Sequence, residues 1–204
     1  MFIGLWITLN YTTHSKPSKN PQILYKYVNA AGFAVQDAIF LGIVLLIAIR
    51  RFDLLALRRP VVGWGRSATL VIVGLIVTFA FSGIYATIVN PGNEQGLLPK
   101  HWEPAHAGPY IANALVICII VPFVEETTFR GVGYSLLAWL GRVPAILIVG
   151  VLFGLAHGLV ASLPILAVFG CVLAYIRSET DSTIPGMVLH GMFNLFSLLV
   201  VLTK

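Results

Sequence analysis

The chain has 204 residues and a formal net charge of +5, with 58% hydrophobic and only 10% charged side chains. A water-soluble domain of this length cannot hide so much apolar surface, so the composition excludes a soluble globular protein and places the chain in a lipid bilayer. The positive balance is accounted for by membrane topology and by contacts with anionic membrane lipids, and no nucleic acid is needed to explain it.

Crossing a hydrocarbon core of about 30 Å takes about 20 mostly apolar residues in a helix that rises about 1.5 Å per residue. Residues 1–10 are apolar, but no basic flank precedes them and no small-residue cleavage site follows, which argues against a cleavable signal peptide. The polar stretch 11–21 carries Lys16, Lys19 and two prolines, so residues 1–10 are expected to be interfacial or an incomplete helix. Spans are expected at 28–49, 69–89, 143–161 and 184–202, with shorter crossings at 110–124 and 163–176. The expected fold is all-α, a polytopic transmembrane bundle of about six spans. It forms one membrane domain over residues 1–204, with N-terminal spans and loops at 1–109 and a core at 110–202. Between the first two spans lie Arg50, Arg51, Arg58, Arg59 and Arg66 against Asp53 alone, which puts that loop in the cytoplasm. The loop 90–108, with Lys100 against Glu94 and Glu103, then falls outside, while Arg130, Arg142 and Arg177 return to the inner side. Lys16, Lys19 and Lys26 run against this scheme. Cys118 and Cys171 fall inside apolar helices and define neither a disulfide framework nor a metal site.

Ionisable groups at membrane depth cost at least roughly 2.5–3.5 kcal/mol, so they persist where they face protein or a wet cavity. Three segments in the second half carry such groups, while the other spans are nearly free of charge, with Asp37 the chief exception. In the first, Glu125 and Glu126 end an apolar run and point about 100° apart, so they serve different tasks. Glu126 and Arg130 are four apart and pair along one helix face. Glu125 is left free to project towards another helix, where a carboxylate can act as general base. The plain alternative is a solvated helix end with an ordinary ion pair. The second segment carries glycines at 150, 154 and 158, a stripe that admits a neighbouring backbone. Phe153 and His157 share a face beside it, and alone this reads as a packing histidine. The third begins with Thr183 as N-cap and Pro185 in the first turn. His190 and Asn194 share a face there and can bind one oxygen atom together, although a polar interhelical contact is the bland reading. One cavity holding Glu125, His157, His190 and Asn194 explains all three segments together better than three unrelated contacts.

These residues, Glu125-Glu126-x-x-x-Arg130, Phe153-x-x-x-His157 and His190-x-x-x-Asn194 in that order on successive helices, resemble the three motifs of the CPBP family, the CAAX proteases and bacteriocin-processing enzymes also called Abi proteins. Phe129-Arg130-Gly131 matches as well, and the resemblance covers about 110–202. It implies an α-helical intramembrane endopeptidase with a conical intramembrane cavity; the small size and bare core point to a prokaryotic plasma membrane, and the arginine-rich loop to an opening towards the cytoplasm. Its substrate would be a peptide or a lipidated protein. Glu125 would activate water together with His157. His190 and Asn194 would stabilise the oxyanion, Glu126 would orient the site, and Arg130 would be structural, as would Phe153 beside it. A zinc ion, were one used, would take Glu125, His157 and His190. The chain has no His-Glu-x-x-His helix, the three ligands come from three helices, and zinc seldom uses asparagine, so a mechanism without a cofactor is favoured. Two other classes compete: a proton-coupled transporter, for which no paired halves are found, and a non-catalytic bacteriocin-immunity or partner-binding membrane protein.

Overall fold

Six helices, and no strand, are found among the described residues. They are α1 (Tyr27–Ile47), α2 (Gly63–Val89), α3 (Pro104–Leu140), α4 (Arg142–Ala156), α5 (Leu163–Thr180) and α6 (Ile184–Leu199). The computed structural model describes residues 22–89, 91, 94 and 96–203, so residues 1–10 and the lysines at 16 and 19 lie outside the described residues. Helices α1, α2, α3 and α5 are long and apolar enough to cross a membrane, and α4 and α6 are shorter apolar helices. Their outward faces are rich in exposed Ile, Leu, Val and Phe, as lipid-facing surfaces require.

The expected crossing at 110–124 is the first half of a longer helix, since α3 runs 37 residues to Leu140. Two stretches of it, Val116–Ile120 and Thr127–Gly133, are wound as π-helix, and the α-helical piece Val121–Glu126 lies between them. Pro122 has no N–H to donate into the ladder, which favours such local rewinding, and π-turns recur at functional sites. The polar cluster at Glu125 reads as a helix end in the sequence, yet the helix continues because Arg130 neutralises Glu126 inside the bundle.

The glycine stripe does its expected work at two of its three positions. Helices α4 and α5 approach so closely that a Cβ on Gly150 would lie 2.7 Å from Cys171 N, one on Gly154 3.0 Å from Ala167 N, and one on Gly170 2.6 Å from Gly150 O. Gly158 has another role. Helix α4 ends at Ala156 rather than 161, and Gly158 turns the chain with φ +68°, the left-handed conformation that glycine adopts without strain. Gly170→Val should therefore force the two backbones apart. Overpacking costs about 1–3 kcal/mol, and a thermal melt of the purified variant should fall below wild type while a lipid-facing Leu147→Val stays close to it.

At the other end of the bundle, the α1–α2 loop is tied to the α5–α6 turn. Val61 N donates to Thr180 O (2.9 Å) and Thr183 N to Ala56 O (3.0 Å). Thr183 occupies the N-cap position of α6, but its hydroxyl does not cap the helix. It bonds the carbonyls of Leu55 and Ala56 at 3.2 Å each, because the α1–α2 loop lies closer than the helix's own first amides. Pro185 stands in the first turn as expected. Asp181 accepts from Arg177 (2.7 Å) and pairs with Arg58 (2.6 Å). Burial alone would raise its carboxyl, and the two guanidinium groups instead hold it below the ordinary aspartate value.

Candidate active site

The α3 ladder places Glu125 and Glu126 on different sides of the helix, and the two do different things. Glu126 is fully buried; its Oε1 accepts from Arg130 Nη1 at 2.9 Å and lies 3.1 Å from His190 Nδ1. The i, i+4 pair expected from the sequence is thus present, with both side chains fully buried. Arg130 makes three further contacts that explain its tolerance there. Its Nη2 donates to Gly170 O at 2.9 Å, its guanidinium lies 4.3 Å over the Phe153 ring, and its own carbonyl accepts from Arg177 Nε at 3.1 Å. Phe153 is the hub of an aromatic floor, edge-on to Phe129 (5.3 Å), Phe169 (6.0 Å) and His190 (5.7 Å). That floor excludes lipid and water from beneath the charges, so each electrostatic contact is stronger than at a surface.

Glu125 faces the other nitrogen of the same imidazole. Its Oε2 lies 3.7 Å from His190 Nε2, within reach of an ion pair and beyond a direct hydrogen bond, and the side chain is 26% exposed. Glu125 Oε2 has no hydrogen-bond partner among the described residues. His190 therefore bridges the two carboxylates. With Glu126 accepting the Nδ1 proton, the ring is fixed with Nε2 turned towards Glu125.

Two of the expected residues make no hydrogen bond or ion pair with Glu125 or His190 among the described residues. His157 follows the last residue of α4, its ring 4.7 Å from that of Phe153 and its Nδ1 2.8 Å from Phe153 O. The shared face with Phe153 is as expected, but no hydrogen bond or ion pair joins His157 to Glu125 among the described residues. Asn194 donates from Nδ2 to Ile117 O at 2.8 Å, a carbonyl in the first π stretch of α3. Its amide carries a second N–H that this bond leaves available. The zinc set of Glu125, His157 and His190 does not close here: among the described residues, no three His, Cys, Asp or Glu side chains gather around one ion-sized point. The residues thus do not fit the metal as arranged.

Two contributors went unnoticed in the sequence. A Cβ on Gly186 would come 2.8 Å from Glu126 Oε2, so any larger residue there would push the buried carboxylate aside. Its signal is its place one turn before His190 on the same face. Glu94, from the α2–α3 loop, accepts from the amides of Val160 (2.9 Å), Ala161 (3.0 Å) and Ser162 (2.8 Å) in the turn after His157. A cavity of about 650 Å3 also opens between α3 and α6. It is lined almost wholly by apolar side chains, among them Tyr110, Cys118, Met187 and Leu195, and not by Glu125 or His190.

Glu94 gives a pH prediction. Partial burial alone would raise its carboxyl, but the three amides outweigh that and hold it below the ordinary value of 4.5. Its contribution is therefore complete above about pH 4.5 and disappears as pH falls through the lower folded value. At neutral pH, Glu94→Gln should speed hydrogen exchange of the 160–162 amides roughly threefold to tenfold over wild type, and the difference should vanish once the wild-type carboxyl is protonated.

Known proteins add one finding to this geometry. The model of the family described as type II CAAX prenyl endopeptidase Rce1-like matches residues 107–196, from the start of α3 through His190 and Asn194 on α6. Neither a search of curated proteins nor one of solved structures finds a match. The segment 107–196 of this integral membrane chain is therefore similar to the type II CAAX prenyl endopeptidase Rce1-like family, in keeping with the CAAX-protease motifs on α3, α4 and α6.

Proposed function

We propose that the chain is an intramembrane endopeptidase that hydrolyses a peptide bond in a lipidated, prenyl-bearing peptide near the membrane surface, using water activated by Glu125. One observation carries this reading: a half-buried carboxylate whose Oε2 has no hydrogen-bond partner among the described residues faces an imidazole whose far side is fixed by a second, fully buried carboxylate. A partly exposed carboxylate with an acceptor to spare, next to a fixed imidazole, can take a proton from water as a general base must.

In this mechanism Glu125 takes one proton from a water molecule as the water oxygen bonds to the scissile carbonyl carbon. The developing oxyanion is held by His190 Nε2–H, when the ring carries both protons, and by the second amide N–H of Asn194. Each such donor contributes roughly 2.7–4 kcal/mol. Glu125 then passes its proton to the amide nitrogen as the carbon–nitrogen bond breaks, which leaves a new carboxyl terminus and a free amine. Glu126 orients His190, Arg130 balances Glu126, and Phe153 walls the site below. His157 completes the water site from the far side, a contact that closes with substrate bound, as catalytic hydrogen bonds often do. No step is assigned to a metal, since the donor set does not converge. The site is taken to open towards the cytoplasm, on the side of the Arg50–Arg66 loop, in a prokaryotic plasma membrane.

The test is incubation of the purified protein, and of its His157→Ala variant, with prenylated and unmodified peptides, followed by mass spectrometry. Wild type should yield two fragments from the prenylated peptide, and His157→Ala should cleave it more slowly. Loss of cleavage with a zinc chelator and its return with added zinc would show that the metal-free part of the proposal is wrong. A binding or immunity protein would leave every peptide intact.

A further inference from the structure

Asp37 stands in the middle of α1, outside the matched segment, and is 6% exposed in a helix whose exposed side chains are mostly apolar. Insertion costs make a buried aspartate at that depth a liability unless it works. Helix α1 packs directly on the Val121–Glu126 piece of α3 and on the π stretches either side of it. The carboxylate of Asp37 accordingly lies within electrostatic reach of Glu125. Asp37 Oδ2 and Glu125 Oε2 are both buried, and neither has a hydrogen-bond partner among the described residues. Two ionised carboxylates, each an acceptor only, cannot satisfy each other. Both are satisfied by one molecule that offers two hydrogens, and water is the smallest that does.

We propose that Asp37 is a catalytic residue, the second acceptor for the water that Glu125 deprotonates. This rests on the peptidase reading above. One water hydrogen passes to Glu125 as the oxygen bonds to the carbonyl carbon, while the other stays on that oxygen, held by Asp37 Oδ2 so that a lone pair points at the carbonyl. Helix α1 thereby contributes to a site that the other motifs place entirely on α3, α4 and α6.

The experiment compares Asp37→Leu, Asp37→Asn and Glu125→Gln with wild type on a prenylated peptide, reading kcat, KM and thermal stability. Asp37→Leu should lose kcat roughly tenfold to a hundredfold with KM within about twofold, and should melt no lower than wild type because an unpaired buried carboxylate is gone. Asp37→Asn keeps a carbonyl oxygen that accepts a hydrogen, and should recover most of the rate. Full kcat in Asp37→Leu, with Glu125→Gln inactive, overturns the role of Asp37 and leaves the peptidase reading standing. A lower melting temperature with Asp37→Asn as slow as Asp37→Leu marks a structural aspartate and also overturns it. No cleavage by wild type, or cleavage untouched by Glu125→Gln, overturns both.

Discussion

Glu125→Gln should abolish most peptide cleavage while leaving the fold intact. The amide is nearly the same size as the carboxylate, and Glu125 Oε2 has no hydrogen-bond partner among the described residues that glutamine would lose. His190 Nε2, 3.7 Å away, stays within reach of the new side chain. What disappears is the capacity to accept a proton from water. General-base catalysis contributes about 10²–10⁴-fold, so kcat should fall by that factor with KM little changed, the pattern expected when an interaction made only in the transition state is removed. Steady-state kinetics on a prenylated peptide, with a melt of the same preparation, check both halves. A transporter would instead keep its fold and show no cleavage before or after the change. A non-catalytic partner would bind equally well in both forms.

The largest stability effect belongs to Arg130. Its side chain is fully buried, and it balances Glu126, bonds Gly170 O and covers Phe153. Arg130→Met keeps much of the volume but strands Glu126 and leaves Gly170 O without that donor. Breaking a buried pair from one side costs about 3–5 kcal/mol. At about 2–4 °C per kcal/mol for a chain of this size, the melt should move down by roughly 10 °C, with a matching loss of folded protein. The double change Glu126→Gln with Arg130→Met removes the stranded charge and should recover part of that loss. If Arg130→Met melts with wild type, the pair is not the electrostatic anchor described here. Activity should fall with either variant, because His190 loses the fixed partner at Nδ1.

Much of this arrangement was legible in the sequence because it depends on spacing within one helix. Glu126 and Arg130 are four apart and pair, Phe153 and His157 are four apart and their rings touch at a tilt, and Gly150 and Gly154 are four apart and face α5. The membrane class followed from composition alone. Contacts between helices were less legible. That His190 reaches both carboxylates depends on how α6 tilts against α3, which Gly186 permits and no periodicity states. The length of α3 was hidden because its two π stretches break the 3.6-residue pattern, and because a buried ion pair looks like a helix end when read as polar residues. Thr183 fits the N-cap rule, yet its hydroxyl follows a nearer tertiary acceptor. The sequence placed His157 on the face of Phe153 but not at a helix end, since Gly158 reads there as part of the glycine stripe. The turn at Gly158 instead leaves it one residue past the end of α4, against the Phe153 carbonyl.

The account stands on Glu125 and His190 acting on one reaction centre from two helices, and a double-mutant cycle in catalysis tests that most directly. Cleavage rates are compared for wild type, Glu125→Gln, His190→Ala and the double variant. Groups that act as one unit lose their effect together, so the double variant should be no slower than the slower single variant. Losses that multiply, so that the double variant is slower by the product of the two single factors, would contradict a shared centre.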